Sequence, residues 1–255
     1  MPTAEFQLNF LRRIQWLLES GSYTSTYKFA LLMAMVNLTI ESGVSDDREC
    51  SISYHQFAEQ FIQLYWTQAL PYSDQSSDSV LRQSSTKGQA SVINGILSLQ
   101  NNTKTTSLTI ARIQNTGLWQ STIKDIASTI KKYPAKYLQS AEDKVSREFL
   151  YIYDAKEKII TLKPGIAYCF TRFSKIVNKL CQQYWTEFVR KNRHNQPYFS
   201  DDVDLQKFLF HQSRQNLKVL ESILIDTQQG QCFYCHKNLK NNIEVDHFIP
   251  WSKYP

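Results

Sequence analysis

Glycine is scarce in this 255-residue chain, seven residues matched by only seven prolines. A sandwich or barrel of short strands needs frequent tight turns, which these two residues make most readily. Their scarcity, beside 14 tyrosines and 14 phenylalanines, favours long helices around an aromatic core. The sequence also lacks any apolar run of about 18 residues, so no membrane-spanning helix is expected. Its start, MPTAEFQLNFLRRIQW, carries acid early and bases late, the reverse of a secretory signal, and a cytoplasmic protein is expected. Cysteine is limited to five. Cys50, Cys169 and Cys181 have no ligand spacing and read as reduced, half-buried thiols. The length allows one large domain or two smaller ones.

Surplus charge is missing from most of the chain. Residues 1–155 hold 14 Lys+Arg and 14 Asp+Glu, and residues 219–255 hold 3 against 4. Residues 156–218 hold 12 against 5, so the whole excess behind the net charge of +6 sits in one block. A local positive field of this kind suits a polyanion.

What is present is helical periodicity. In FQLNFLRRIQWLLES, Phe6, Phe10, Ile14 and Leu17 recur at helical spacing. TYKFALLMAMVNLTIES is apolar nearly all round, as a central helix should be, with Ser25 or Thr26 as its cap. SYHQFAEQFIQLYWTQAL follows, turning Phe57, Phe61, Leu64 and Tyr65 inward until Pro71. Residues 73–91 lack periodicity, are rich in Ser, Asp and Gln, and read as a flexible loop. LWQSTIKDIASTIKKY is a further helix, ended by Pro134. In FLYIYDAKEKIITL, residues 149–162, two β-rich runs flank a four-residue turn and predict a hairpin. Helices followed by a hairpin also fit a winged-helix module over roughly 105–163.

Two long helices are expected next. The first, about 165–193, has a stripe of Phe173, Val177, Leu180, Tyr184 and Phe188, and a row of Arg172, Lys175, Lys179, Arg190 and Arg193. The second, about 203–227, carries Lys207, His211, Arg214 and Lys218 on one row. Such rows suit phosphate contact, although an ordinary solvated face accounts for any single residue equally well.

The last segment carries the chemistry. In CFYCHKNLKNNIEVDHFIPWS, Cys232 and Cys235 can supply two of the four positions around a tetrahedral Zn²⁺ from one turn. A dithiol redox site is the rival for that spacing, but it needs a strand before the pair and a helix starting at it. The surroundings here, Gln228–Gly230 before and an Asn-rich turn after, argue against it. His236 reads as a bystander in the turn. IEVDHFIP then alternates as a strand does, ending at Pro250 with Asp246 and His247 inside it.

CFYC followed by VDHFIPWS resembles the opening of the HNH, or ββα-metal, endonuclease family, over residues 232–255 only. The resemblance implies hydrolysis of phosphodiester bonds, most often in double-stranded DNA, by a one-metal mechanism. It makes His247 the general base and Asp246 a ligand of Mg²⁺ or Mn²⁺, with a structural Zn²⁺ on Cys232 and Cys235. An antiphage role is the matching analogy. Eight residues follow His247, and the family's second strand, helix and remaining ligands do not appear among them. The expectation is therefore a truncated and inactive fragment. The expected architecture is mainly α: a helical domain over 1–227 with one hairpin, then a partial zinc-stabilised HNH module over 228–255. The competing reading is a non-catalytic helical nucleic-acid-binding or interaction protein ending in a zinc knuckle.

Overall fold

The computed structural model describes residues 1–20, 24–44, 48–72, 79–139, 148–199, 204–210, 225, 227–233 and 235–239. The chain divides into two compact units, Met1–His211 and Gln212–Pro255. The described part of the first unit is mainly helical, with one small two-stranded antiparallel sheet.

Helix α1 spans Ala4–Ser20 and buries Phe10, Ile14, Leu17 and Leu18. Helix α2, Tyr27–Glu41, is the central element the sequence predicts, with Leu31, Leu32, Met35 and Val36 fully enclosed. Its Thr26 does not cap with its side chain. That hydroxyl instead lies 2.7 Å from the Tyr65 hydroxyl, a long-range bond inside the core. A short strand, β1 (Cys50–Ser53), runs directly into α3 (Tyr54–Tyr65). The Ser53 hydroxyl accepts from the Gln56 amide while the Gln56 side chain accepts from the Ser53 amide, a reciprocal capping box. Helices α4 (Ser91–Thr103), α5 (Leu108–Gln114), α6 (Thr116–Lys132) and the four-residue α7 (Pro134–Tyr137) follow. The α4 and α6 axes approach closely because Gly95 faces Thr122, whose methyl would lie 3.2 Å from an added Cβ.

The predicted hairpin is reduced to a single antiparallel bridge between its two runs. Strand β2, Ile159–Leu162, pairs instead with β1, Cys50 opposite Leu162 and Ser53 opposite Ile159. This register buries Cys50, Ile52, Ile160 and Leu162 together and leaves the Ser51 and Thr161 hydroxyls paired outside at 2.9 Å. The upstream run contributes one bridge, Tyr151 to Leu162. The Lys163 amide donates to the Leu150 carbonyl at 2.8 Å, and Gln139 adds two bonds, donating to the Tyr151 carbonyl at 2.9 Å and accepting from the Leu150 amide at 2.6 Å. The winged-helix expectation over 105–163 is not met among the described residues, where the regular partner of β2 is β1 rather than a second strand of the same span.

The helix expected over 165–193 is two helices, α8 (Ile166–Arg172) and α9 (Ser174–Lys191), separated at Phe173 (φ −110°, ψ 18°). Phe170 and Phe173 both pack on Phe10, at ring distances of 5.3 and 6.4 Å. The buried stripe of α9 lies beside the predicted one: Val177, Cys181, Trp185 and Val189 are fully enclosed, with Phe173, Leu180, Tyr184 and Phe188 on its flanks. Of the helix expected over 203–227, the described residues show α10, Leu205–Phe210.

Residues 79–90, expected as part of a flexible loop, are threaded into the core. Leu81 and Gln83 are fully buried. Their polar composition serves an internal clamp. Asn195 accepts from the Arg82 amide at 2.7 Å and donates to the Arg82 carbonyl at 3.0 Å. Asn192 donates to the Ser84 carbonyl, and the Trp185 indole donates to the Gln83 amide oxygen, each at 2.8 Å. Backbone groups of an irregular segment must find partners when buried, and these amide side chains supply them.

Candidate functional site

The second unit holds the cysteine pair. A helical turn ends where the Gly230 amide reaches the Ile225 carbonyl at 2.9 Å, with Gln229 (φ 52°) and Gly230 (φ 71°) in the left-handed region. The chain then makes a small hairpin. Gln231 bridges Asn238, the Leu239 amide donates to the Gly230 carbonyl, and the Cys232 amide donates to the Lys237 carbonyl, both at 2.8 Å. Across its tip the His236 amide donates to the Cys232 carbonyl at 2.8 Å. That closure requires His236 to take φ 55°, a left-handed conformation uncommon outside glycine and asparagine. Cys232 and Cys235 therefore belong to one tight turn, the first half-buried and the second exposed.

This geometry bears on the two chemistries open to the spacing. A dithiol redox site starts a helix at its first cysteine, whereas here the pair sits in a hairpin turn with no helix among the described residues that follow it. Two soft, accessible thiol donors on one turn fit half of a tetrahedral zinc site. No group of three or more His, Cys, Asp or Glu that could hold a metal occurs among the described residues. Asp246 and His247 lie outside the described residues. The remaining cysteines, Cys50, Cys169 and Cys181, are buried in the helical unit, and burial pushes the Cys181 thiol far up.

The basic residues are described in part. Arg172 ends α8, Lys175, Lys179 and Arg190 lie on α9, Arg193 follows α9, and Lys207 lies on α10; all six are exposed. They do not make the single row that one continuous helix would give. The turn at Phe173 separates Arg172 from α9, and Thr186, within the same row, is buried with its hydroxyl on the Gln182 carbonyl. Glu187 on the exposed face pairs with Lys191. Arg214 and Lys218, with His211, lie outside the described residues.

The α6–α7 junction, KKYPAKY, sets lysines beside half-exposed tyrosines. The signal in the sequence is the recurrence of Lys-Tyr at a helix end, where apolar spacing says nothing of the exposed side.

No curated protein and no solved structure matches the chain. A family model described as a domain of unknown function, DUF8808, matches residues 7–208. That span covers most of the chain and falls within the helical unit Met1–His211, ending before the cysteine hairpin. The chain belongs to the DUF8808 family.

Proposed function

We propose that the chain joins a helical, DNA-contacting domain to the metal-binding start of an HNH-type endonuclease module. The observation that carries this reading is the hairpin that places Cys232 and Cys235 in one tight turn just ahead of the Asp-His segment. Zn²⁺ on the two thiolates, completed by ligands from elsewhere, would fix this turn and the segment that follows it. Asp246 would give a carboxylate oxygen to Mg²⁺ or Mn²⁺, which when bound neutralises charge on the phosphate and the departing oxygen. His247 takes the proton from the attacking water, a task suited to an imidazole whose ordinary pKa lies near neutrality. The exposed cations of α9 and α10, with Arg214 and Lys218, contribute contacts to duplex phosphates.

Two measurements test this. Zinc should accompany the purified chain and be lost from C232S/C235S. Where the reading frame carries a full HNH module, its product should cut plasmid DNA with Mg²⁺ or Mn²⁺, and His247→Ala should abolish cutting; cleavage that survives this substitution overturns the reading. A second reading takes the helical unit, which the family model matches, as the working part of the chain. In that reading the helices bind nucleic acid or a protein without cleavage and the cysteines form a knuckle. Retained zinc with no cutting by that product selects it.

A further inference from the structure

The junction of α6 and α7 is anchored on its inner side. Ile130, Pro134, Ala135 and Leu138 are buried. Two tyrosine hydroxyls fix its backbone: Tyr153 donates to the Lys131 carbonyl at 3.0 Å and Tyr151 to the Ala135 carbonyl at 2.8 Å. Its outer side is different. Tyr133 is 48% exposed and Tyr137 45% exposed, one helical turn apart. Lys132 lies over the Tyr133 ring at 5.3 Å and Lys136 over the Tyr137 ring at 5.2 Å. Lys131 lies 5.8 Å from the Tyr54 ring. None of these three lysines pairs with a carboxylate among the described residues. Residues 126–139 contain no Asp or Glu.

The end of a helix accounts for part of this, since Lys131 and Lys132 offset the negative pole of α6. It does not account for Lys136 beyond that end, nor for two large rings left half in water. Unpaired ammonium groups attract phosphate, and exposed rings offer faces on which unpaired bases stack. A rigid backbone lowers the ordering cost of binding. We propose that Lys131, Lys132, Tyr133, Lys136 and Tyr137 form a stacking platform for single-stranded nucleic acid, independent of the metal-nuclease reading. Duplex DNA satisfies the lysines but keeps its bases stacked away from the rings, so the platform discriminates between the two.

The test is fluorescence anisotropy of the full chain with a short labelled oligothymidylate and its duplex counterpart. Single-strand binding should depend on the two rings and duplex binding should not, the platform contributing a salt slope of about 2 if three phosphates are neutralised. Tyr133→Ala and Tyr137→Ala should each weaken binding roughly tenfold without changing that slope. Phenylalanine at both positions should restore binding, and K132Q/K136Q should flatten the slope. Circular dichroism of every variant should match the parent chain, as expected for half-exposed side chains. C232S/C235S should bind the oligonucleotide like the parent, which separates this surface from the nuclease reading. Affinity indifferent to the tyrosine-to-alanine changes, duplex binding weakened by those changes as much as single-strand binding, or a polyglutamate peptide bound with the same ring dependence would each overturn the proposal.

Discussion

Tyr65 and Tyr151 are completely enclosed, and burial holds both phenols well above their ordinary value of 10.0. Tyr27 is raised for the same reason, only partly offset by its bond to Ser91. A raised phenol keeps its proton in the folded protein after the unfolded chain has lost its own. The resulting stabilisation is complete below about pH 10 and disappears as pH rises through the folded values. Alkaline titration should therefore show one set of tyrosines ionising freely and another appearing only as helical circular dichroism collapses. Reversible ionisation of all 14 tyrosines before any loss of helix would contradict this. Trp185 gives a second test at this scale. It is fully buried, its ring lies 4.9 Å from Tyr65 and 5.3 Å from Phe210, and its indole bonds Gln83. Trp185→Phe keeps an aromatic ring but strips the Gln83 oxygen of its donor, in a side chain whose amide nitrogen already has no partner. Chemical denaturation should show a loss of about 2 kcal/mol or more.

Ser53 links two elements, ending β1 and capping α3. Ser53→Ala removes the acceptor for the Gln56 amide and should lower stability by about 1 kcal/mol, read from the urea midpoint. Elements whose signal lies within one turn or one face were legible in the sequence: α1, α2, α3 and α6 follow their apolar spacing, and Pro134 marks the end of α6. What could not be read was pairing over distance. The Ser51–Thr161 contact joins strands 110 residues apart, while the hairpin signature of 149–162 concerns neighbours only. The polar run 79–90 misled for a related reason, because its partners, Asn192, Asn195 and Trp185, lie about a hundred residues downstream. For the candidate site, the cysteine turn was legible because its spacing is local. The basic row over 165–193 assumed an unbroken helix, and the turn at Phe173 was invisible to a periodicity that continues across it.

At the scale of the molecule, the first unit closes at the far side of α10, and that sets where the chain can be cut. Leu205 and Leu209 are buried, Phe210 packs on Trp185, and the Gln68 amide donates to the Leu209 carbonyl at 3.2 Å. Phe208 sits edge-on to Tyr72 at 5.0 Å. The DUF8808 match ends at this same helix, at residue 208, which sequence comparison reaches without reference to packing. Residues 1–211 should therefore fold alone, with a helical spectrum, cooperative melting and oligothymidylate affinity equal to that of the full chain. Residues 1–203 retain every other described helix of the first unit but expose the faces that α10 covers, at an expected cost of about 4 kcal/mol or more for the buried leucines and Phe210. Thermal melting of the two truncations side by side decides the point. Equal stability would mean that α10 is an ornament on the helical domain, whereas a cooperative longer form beside a loosened or aggregating shorter one makes it the last element of the core.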